Sequence, residues 1–334
     1  MKIRIGQIGT GHAHASGKMA AMRRSAEFEV VGAVEPDPQR QAAAERDPAY
    51  QGATWLTEEQ LLNAEGLQAV AVETEVCDLA AAAARCIAAG KHIHLDKPAG
   101  ESLAAFKEIL DEATRRKLTV QMGYMFRYNP AFQLCFKAVR EGWLGEVFEL
   151  HTVISKTLPA GQRGELAKYP GGTMFELGCH VIDSVVSVLG RPGRVVPFGR
   201  HSAKLDDGLK DNQLAVFEYP RATATVRSAL MEVDGFQRRQ FVVCGDRGTV
   251  DIRPLEPPQV RLALAEPCGG FEKGYQDVRM PRYTRYDGDF ADLARIIRGE
   301  KQLDFPPSHD LAVQEAVLLA SGLADDTPSD RRPS

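Results

Sequence analysis

The feature that most constrains this chain is a glycine turn close to its N-terminus. Residues 3–8 alternate in the manner of a β-strand, Gly9-Thr10-Gly11 follows, and a helical pattern then runs to Arg24. In this order the first glycine permits a tight turn and the second lets the main chain approach a pyrophosphate, while the helix points free N–H groups and its positive dipole end at the phosphates. The stretch therefore predicts a dinucleotide-binding βαβ unit.

An acidic residue lies where such a unit needs one for the adenosine ribose. The second predicted strand, 28–34, ends in Glu35, which is 24 positions beyond Gly11. A carboxylate here accepts the ribose hydroxyls and repels the extra phosphate of NADP. Arg40 is the opposing indication, because an arginine close to this point can receive that phosphate. NAD is therefore the expected cofactor, with NADP as the alternative.

The first half of the chain alternates helical and strand patterns. Helices are predicted over 37–46, 58–62, 78–89 and 103–116, and strands over 68–72, 92–95 and 119–122. Alternation of this kind implies right-handed crossovers and a doubly wound parallel sheet that binds ligands at the carboxyl ends of its strands. The predicted fold class is α/β, with a Rossmann domain over 1–123.

The second half has a different pattern. Strands are predicted over 146–155, 212–218, 223–230 and 237–243, and helices over 130–141, 172–189, 289–298 and 309–323. Strands that follow one another without intervening helices predict an open, mostly antiparallel sheet, here in an α+β domain over 124–324 that binds substrate and mediates oligomerisation. The tail, 325–334, is polar and is expected to be disordered.

Composition excludes some classes of function. The net charge is −4, and no long run of Lys and Arg provides a nucleic-acid surface. No apolar run is long enough to cross a membrane, and a strand rather than a signal peptide begins the chain, so we expect a cytoplasmic enzyme. The six cysteines form no C-x-x-C pair and lie among apolar neighbours, which predicts buried free thiols.

Three later stretches accompany the glycine turn, and they read GKHIHLDKP over 90–98, GYMFRYNP over 123–130 and GGTMFELGCH over 171–180. In this order and spacing the chain resembles the glucose–fructose oxidoreductase/inositol dehydrogenase (Gfo/Idh/MocA) family, over nearly its whole length. The family usually has Glu in place of Asp96, Asp in place of Glu176, and Thr-Pro in place of Thr74-Glu75. These departures concern the identity of the substrate, since the lysine and the histidine of the motifs are retained.

Lys97 is the first candidate catalytic residue. It follows a short apolar strand and precedes Pro98, which places it at the carboxyl edge of the parallel sheet. A lysine there can stabilise negative charge that develops on a substrate oxygen. Taken alone, the position is more typical of a surface lysine at a strand end.

Glu176 and His180 are four residues apart on a predicted helix, so they share a face. A carboxylate beside an imidazole can orient the ring, and such a histidine suits removal of a proton from an alcohol. The alternative is a helix-surface pair of little consequence. Gly171 and Gly172 argue against it, because they allow close approach of a ligand.

The resemblance implies roles for these residues and for others. Lys97 polarises the reacting oxygen and His180 exchanges its proton, with Glu176 as the third catalytic residue. Tyr128 and Asn129 lie near substrate together with Lys97, Glu176 and His180, although capping of a helix is an equal role for Asn129. The implied cofactor-binding residues are Gly9, Thr10, Gly11, His12, Ala13, Glu35, Thr74, Asp96 and Lys97.

Two histidines follow the glycine turn. His14 stands where the dinucleotide fingerprint has Gly or Ala, and we expect Gly17 to supply part of the lost room. A metal site at His12 and His14 is rejected, because no Cys or carboxylate motif completes a ligand set. The loop 158–170 carries Arg163, which we expect to be a solvated loop residue rather than a substrate ligand.

The resemblance implies an NAD(P)-dependent oxidoreductase that transfers a hydride between nicotinamide and a hydroxyl or carbonyl carbon of a sugar, a cyclitol or a related polyol. Two alternatives stay open: a regulator that senses NAD without turnover, and elimination or epimerisation of a sugar with NAD recycled. The expected partners of the protein are a small-molecule substrate and further copies of the chain in a homodimer or homotetramer. No nucleic acid and no membrane are expected.

Overall fold

The chain folds into two units. The computed structural model describes residues 1–323, so the predicted disorder of 325–334 lies outside the described residues. The first unit holds Met1–Tyr128 and Tyr283–Leu311, and the second holds Asn129–Arg282 and, of the described residues after it, 312–323. This differs from the predicted division at 123/124, because the chain returns to the first unit after completing the large sheet of the second.

The first unit contains a five-stranded sheet in the order β2-β1-β3-β4-β5, and every pairing in it is parallel. Its strands are β1 (Ile3–Ile8), β2 (Phe28–Val34), β3 (Leu67–Val72), β4 (His92–Leu95) and β5 (Val120–Met122). Its helices are α1 (Ala15–Arg24), α2 (Pro38–Ala44), α3 (Glu58–Leu62), α4 (Val76–Ala88) and α5 (Leu103–Arg115). The predicted parallel Rossmann sheet is confirmed.

Local sequence explains why these elements begin and end where they do. Asp37 caps α2 through the N–H groups of Gln39 and Arg40, and Pro38 occupies the first helical position. Thr57 and Gln60 form a capping box at α3. Four consecutive residues of β3, Ala69–Val72, are fully buried, as expected for a strand covered on both faces.

A helix from the returning segment completes the first unit. This helix, α9 (Asp287–Ile297), contacts α1. The ring of Phe290 meets that of Phe28 edge-on at 5.8 Å and lies 4.9 Å from the ring of His94. The segment therefore belongs to the core of the unit that holds the glycine turn, although it follows that turn by more than 270 residues.

The second unit contains an eight-stranded sheet in the order β13-β12-β11-β10-β6-β9-β8-β7. Only β6 and β9 pair in parallel, so the predicted open, mostly antiparallel sheet is confirmed. Its strands are β6 (Val147–Val153), β7 (Arg194–Arg200), β8 (Asn212–Glu218), β9 (Thr223–Ala229), β10 (Gln240–Gly245), β11 (Gly248–Leu255), β12 (Pro258–Leu264) and β13 (Gly274–Val278). Its helices are α6 (Pro130–Arg140), α7 (Ala160–Ala167) and α8 (Cys179–Leu189), and α10 (Pro307–Ala320) ends the described chain.

Helices cover one face of this sheet. The inward side chains of β8 and β9, including Phe217 and Val226, are fully buried, and α8 contacts β6 and β9. The ring of Phe132 on α6 lies 5.0 Å from that of Phe241 on β10. The outward side chains of β7 and β8 are half-buried or exposed, in the period-2 alternation of a one-sided sheet.

The cysteines follow the prediction in part. Within residues 1–323 all six are free thiols, and Cys86, Cys135 and Cys179 are buried. Cys244 and Cys268 are half-buried, and Cys77 is exposed because it lies in the first turn of α4 on the solvent side. The part of the chain that the structure describes has no helix that is both long and apolar enough to cross a membrane.

Candidate cofactor and catalytic site

The glycine turn lies directly against the segment that follows β3. Gly9 has a φ of +87°, and a Cβ at this position would fall 2.6 Å from the main chain of Thr74. A Cβ at Gly11 would fall 2.9 Å from the side chain of Glu75. The N–H of His12 donates to the carbonyl of Glu73 at 3.0 Å. Both glycines are therefore required for the close approach of two loops at the carboxyl edge of the sheet.

The start of α1 presents free donors, as a pyrophosphate site requires. His14 is the N-cap residue, and its side chain makes no capping hydrogen bond. Within residues 1–323, the main-chain N–H groups of Gly11 and Ala13 have no protein acceptor. Unsatisfied N–H groups at the positive end of a helix attract phosphate. The residues present therefore fit the phosphates of a dinucleotide.

Glu35 is held against the turn by four donors. Its Oε2 accepts the N–H of Thr10 at 2.8 Å and the Thr10 hydroxyl at 2.7 Å. Its Oε1 accepts the N–H of Asp37 at 3.0 Å and Nε of Arg40 at 3.3 Å. The Glu35 carboxylate thus fixes the conformation of the turn as well as marking the predicted ribose site.

Arg40 lies among carboxylates rather than at an open anion site. Its guanidinium is 3.3 Å from Glu35, 3.3 Å from Glu75 and 3.9 Å from Asp37. One arginine among three carboxylates leaves this corner negative, which disfavours an additional phosphate group.

Lys97 is placed at the end of β4, and it is buried to 1% relative exposure. Its main-chain N–H donates to Oδ1 of Asp96 at 2.7 Å, and its carbonyl oxygen lies 3.0 Å from Nε2 of His12. Two of the predicted cofactor residues, His12 and Asp96, thus contact the main chain of the predicted catalytic lysine.

Asp96 is fully buried at the centre of a cluster of polar side chains. Oδ2 accepts Nζ of Lys18 at 2.6 Å and lies 3.0 Å from Nδ1 of His12, and Oδ1 lies 3.3 Å from Nδ1 of His14. Lys18 also pairs with Glu73 at 3.1 Å. Because protein donors meet both oxygens of Asp96, its role as a direct cofactor ligand stays a prediction.

One ammonium group faces three buried carboxyl groups in this cluster. Burial raises the pKa of Glu73 well above its usual value, and burial raises the pKa of Asp289 from 3.8 to about 7. Burial opposes ionisation of Asp96 as well, yet the neighbouring His12 and Lys18 charges hold the pKa of that carboxyl well below its usual range. Asp96 is therefore the ionised partner of Lys18.

Burial also keeps two histidines of this region neutral. It lowers the pKa of His14 to about 3 and that of His94 to about 3. The room left by Gly17 is occupied by Tyr286, since a Cβ at Gly17 would fall 2.8 Å from that ring. The expectation that Gly17 supplies the room lost at His14 is therefore wrong, because Tyr286 fills that room.

The fold brings a carboxylate to His12 and His14, which the sequence did not predict. His12, His14 and Asp96 bring one ligand atom each to within 4.8 Å of one another, so a carboxylate does complete the set. The atoms are engaged, however: Lys18 bonds Oδ2 of Asp96, and the N–H of His14 lies 3.2 Å from Nδ1 of His12. These contacts join the three side chains in one hydrogen-bonded network.

In the second unit, the helix that carries His180 begins at Gly172, as the sequence predicts, and it contains a π-helical turn that the sequence does not predict. Met174–Gly178 forms a turn of π-helix, and α8 starts at Cys179. Glu176 lies in the π-turn, 3.9 Å from Nζ of Lys156, and His180 is buried to 1%. The predicted pairing of Glu176 with His180 stays a prediction.

The two glycines at the start of this helix lie in close contact with other parts of the protein. Gly172 has a φ of +59°, and a Cβ there would fall 2.4 Å from the carbonyl oxygen of Lys210. The N–H of Thr173 donates to that carbonyl, and the N–H of Met174 donates to Gln213. Gly172 thus permits close packing on the segment that leads into β8.

The Arg-Tyr-Asn-Pro motif is mostly structural in its observed contacts. Arg127 is buried, pairs with Asp310 at 2.5 Å and lies over the ring of Phe305. The Tyr128 hydroxyl donates to Asp292 at 2.8 Å. Asn129 caps α6 by accepting the N–H of Ala131 at 2.9 Å, which confirms the capping role. Substrate contacts of Tyr128 and Asn129 stay predictions.

Family models match most of the chain. Residues 3–124 match the oxidoreductase family with an NAD-binding Rossmann fold, and residues 132–251 match the GFO/IDH/MocA C-terminal domain. The chain belongs to the GFO/IDH/MocA family. Its first unit is accordingly an NAD-binding Rossmann domain, which agrees with the free donors at the start of α1.

Curated relatives include oxidoreductases of several kinds. The uncharacterized oxidoreductase YhhX of Escherichia coli is 28% identical over 61% of this chain and 59% of its own. A trans-1,2-dihydrobenzene-1,2-diol dehydrogenase of Macaca fascicularis is 26% identical over 48% of each chain. An inositol 2-dehydrogenase of Pseudomonas fluorescens is 27% identical over 79% of this chain and 78% of its own. The chain spans about half to three fifths of the length of the first two.

Solved structures share the whole fold at low identity. A putative oxidoreductase from Erwinia carotovora superposes with a TM-score of 0.81 at 20% identity, covering 97% of this chain and 99% of its own. The WlbA dehydrogenase from Bordetella pertussis, in complex with NADH and UDP-GlcNAcA, gives a TM-score of 0.75 at 17% identity, covering 96% and 95%. These likenesses establish that both units have the family fold.

Sequence reasoning missed several members of the site region. Lys18 belongs to no motif, although it lies one helical turn beyond His14 and so shares a helix face with it. Glu73 precedes the predicted Thr74 by one residue. No local signal marked Asp289, which comes from the returning segment, or Lys156 beside Glu176.

Proposed function

We propose that this protein is an NAD-dependent dehydrogenase or reductase that acts on a CH–OH group of a sugar, a cyclitol or a related polyol. The observation that carries the proposal is the placement of Lys97. It follows β4 at the carboxyl edge of the same sheet that holds the glycine turn, and its main chain is fixed on both sides by His12 and Asp96. The inositol 2-dehydrogenase relative supports the class of substrate.

The chain's own residues divide the work as follows. Lys97 donates a hydrogen bond to the reacting oxygen and stabilises negative charge on it. His180 exchanges the hydroxyl proton, and Glu176 orients the imidazole. The main-chain N–H groups at the start of α1 bind the phosphates, with Glu35 at the adenosine ribose. NAD supplies the acceptor for the hydride.

A cytoplasmic location and an assembly of identical subunits belong to the same proposal. The location is inferred from the ordinary composition of the chain. The assembly is inferred from the uncovered face of the large sheet.

The test is a panel of cyclitols, sugars and linear polyols with NAD and with NADP, followed by absorbance of the reduced nicotinamide. We expect reduction of NAD with at least one cyclic polyol, at a rate that Lys97→Met lowers by ~10²–10³-fold. Lys107→Met is the matched control, because Lys107 is an exposed lysine paired with Asp111 on α5. Binding of NAD without turnover of any panel member would instead support a regulator, and turnover without net NAD consumption would support transient oxidation.

A further inference from the structure

We propose that His12 and Asp96 form a clamp on the main chain of Lys97 and thereby position its side chain for the reaction. The inference rests on the proposed function, in which Lys97 acts on the substrate oxygen. It assigns His12 and Asp96 to positioning, whereas the family resemblance implied contact with the cofactor.

The clamp acts on both sides of one Cα atom. Asp96 accepts the N–H of Lys97 at 2.7 Å, and His12 Nε2 lies 3.0 Å from the carbonyl oxygen of Lys97. Fixing the N–H and the carbonyl of one residue fixes the orientation of both its peptide planes. The direction of the Cα–Cβ bond follows from those planes. A shift of ~1 Å in a reacting group can cost ~10²-fold in rate, so this direction matters for catalysis.

Both clamping side chains are themselves held. Asp96 is fully buried, and its Oδ2 accepts Nζ of Lys18 on α1 at 2.6 Å. His12 is 7% exposed, and its own N–H is anchored on the carbonyl of Glu73 at the end of β3. The clamp therefore joins the ends of β3 and β4 to the turn before α1, within one unit.

The hydrogen bond from His12 to Lys97 requires a hydrogen on Nε2, which the charged ring and one neutral tautomer carry. Nδ1 of His12 has two neighbours, Oδ2 of Asp96 at 3.0 Å and the N–H of His14 at 3.2 Å. In the protonated ring Nδ1 donates to Asp96, and in the neutral ring protonated on Nε2 it accepts from His14. The clamp assigns the Nε2–H tautomer to the neutral ring, so that in both forms Nε2 donates to the Lys97 carbonyl.

Lys18 explains why a carboxylate can occupy this buried position. Removing a charged group from water is costly unless it is paired and hydrogen-bonded. Lys18 and Asp96 are both fully buried, and Lys18 reaches Glu73 at 3.1 Å as well. The pair thus holds the clamp in place from the core of the unit.

The first experiment compares His12→Leu with His12→Gln. The amide nitrogen of Gln reaches close to the position of Nε2 and can donate to the same carbonyl. We expect His12→Leu to lower kcat by ~10²-fold while the Kd for NAD changes less than ~3-fold, and His12→Gln to recover at least ~10-fold of that loss. His151→Gln is the control, because His151 contacts Thr225 in the other unit.

A crystal structure of His12→Leu tests the clamp without any substrate. We expect the carbonyl of Lys97 to turn away from its wild-type position. If the main chain of Lys97 is unmoved in His12→Leu, the clamp is overturned, whatever the activity of the variant. If wild-type protein turns over no panel member, the proposed function fails, and this structure still decides the clamp.

Two further results would overturn the clamp. One is a loss of NAD affinity in His12→Leu with kcat unchanged, which would make His12 a cofactor ligand. The other is a rise in the Tm of wild type with ZnCl₂ alone that His12→Gln abolishes, which would make the cluster a metal site. An unchanged Tm with ZnCl₂ supports the network of hydrogen bonds.

Discussion

Lys97 and His180 carry the proposed chemistry, and each is buried to 1% relative exposure. An ammonium group and an imidazole are costly to bury unless other polar groups or a ligand meet them. Their burial at predicted catalytic positions is therefore more consistent with a site than with a surface strand end or a surface helix pair. Perturbed and buried titratable groups cluster at functional sites for this reason.

The first prediction concerns these two residues. Lys97→Met should lower turnover by ~10²–10³-fold through loss of a preorganised donor. His180→Ala should lower it by ~10²–10⁴-fold through loss of proton transfer. The losses should not multiply in the double variant, since groups that act as a unit are not additive. Steady-state kinetics on the active polyol measure all three.

NAD binding is the control for that prediction. Both variants should bind NAD by calorimetry, because the proposed phosphate and ribose contacts are at the start of α1 and at Glu35, not at the substituted residues. Near-normal turnover in Lys97→Met would contradict the catalytic role. Complete loss of NAD binding would assign Lys97 to the cofactor site or to the fold.

The second prediction concerns cofactor choice. Glu35, Asp37 and Glu75 surround Arg40, so the corner that would meet a 2′-phosphate is negative. Titration of both cofactors should give tighter binding of NAD than of NADP. Glu35→Ser should reduce this difference in affinity, because it removes one negative charge from the corner around Arg40. Glu59→Ser, on exposed α3, is the control. Tighter NADP binding by wild type would overturn the assignment.

At the scale of elements, the segment 158–170 is mostly half-buried or exposed, but one buried side chain anchors it. It forms α7, and Arg163 on this helix is buried and pairs with Asp207 and Asp211. The hydrogen bond from Arg163 lowers the pKa of Asp207 to about 2. Arg163 therefore joins α7 to the loop before β8, and the expectation of a solvated arginine was wrong.

The third prediction follows from that contact. Arg163→Met should destabilise the protein by about 2–4 kcal/mol, because it leaves the buried Asp211 carboxylate without its cation. Lys168→Met is the control, since Lys168 pairs with the exposed Glu165 and should cost less than ~1 kcal/mol. Urea unfolding measures both. Equal effects of the two substitutions would contradict an anchoring role.

Elements that sequence predicted well are those with strong local signals. Helix α3 and strand β4 have the predicted bounds, because a capping box and a glycine-ended helix mark them. Contacts across long separations carried no such signal. Asp96 meets His12 across 84 positions, and Tyr128 meets Asp292 across 164. Only the fold brings them together, so the buried cluster and the return of the chain to the first unit could not be predicted.

The fourth prediction concerns α9 and pH. Burial raises the pKa of Asp289 to about 7, while Lys18 and Arg127 oppose that rise. The folded state therefore keeps a proton that the unfolded chain releases above pH ~4, and Asp289 costs stability as pH rises from there to ~7. Between pH 5 and pH 8, the free energy of unfolding of wild type should fall by about 2–3 kcal/mol relative to that of Asp289→Asn.

Unfolding curves at several pH values test the role of Asp289. Asp287→Asn is the control, because Asp287 is half exposed at the start of the same helix and pairs with Arg24. Its stability should follow that of wild type at every pH. Parallel pH profiles for Asp289→Asn and wild type would show that Asp289 is ionised in the folded state.

At the scale of the whole molecule, the outward face of the eight-stranded sheet changes character across its width. Near β7 it is apolar, where Phe198 lies opposite Leu214 and Val196 opposite Val216. Near β13 it is charged, where Arg261 pairs with Asp251 and lies opposite Asp277. The apolar pairs of this face thus lie on the β7–β8 side, and on the β13 side the exposed ring of Tyr275 lies beside Arg261.

The fifth prediction is a homodimer, or a tetramer of such dimers, formed through this face. Phe198 is 47% exposed on the edge strand β7, and an apolar patch on an edge strand normally pairs with another surface. Phe198→Glu with Leu214→Arg should convert the assembly to monomers in light scattering at micromolar concentration. Arg261→Glu, on the charged side, should leave the mass unchanged if the apolar side forms the contact. Wild type that is monomeric at that concentration would contradict the assembly, and dissociation by Arg261→Glu alone would move the interface to the β13 side.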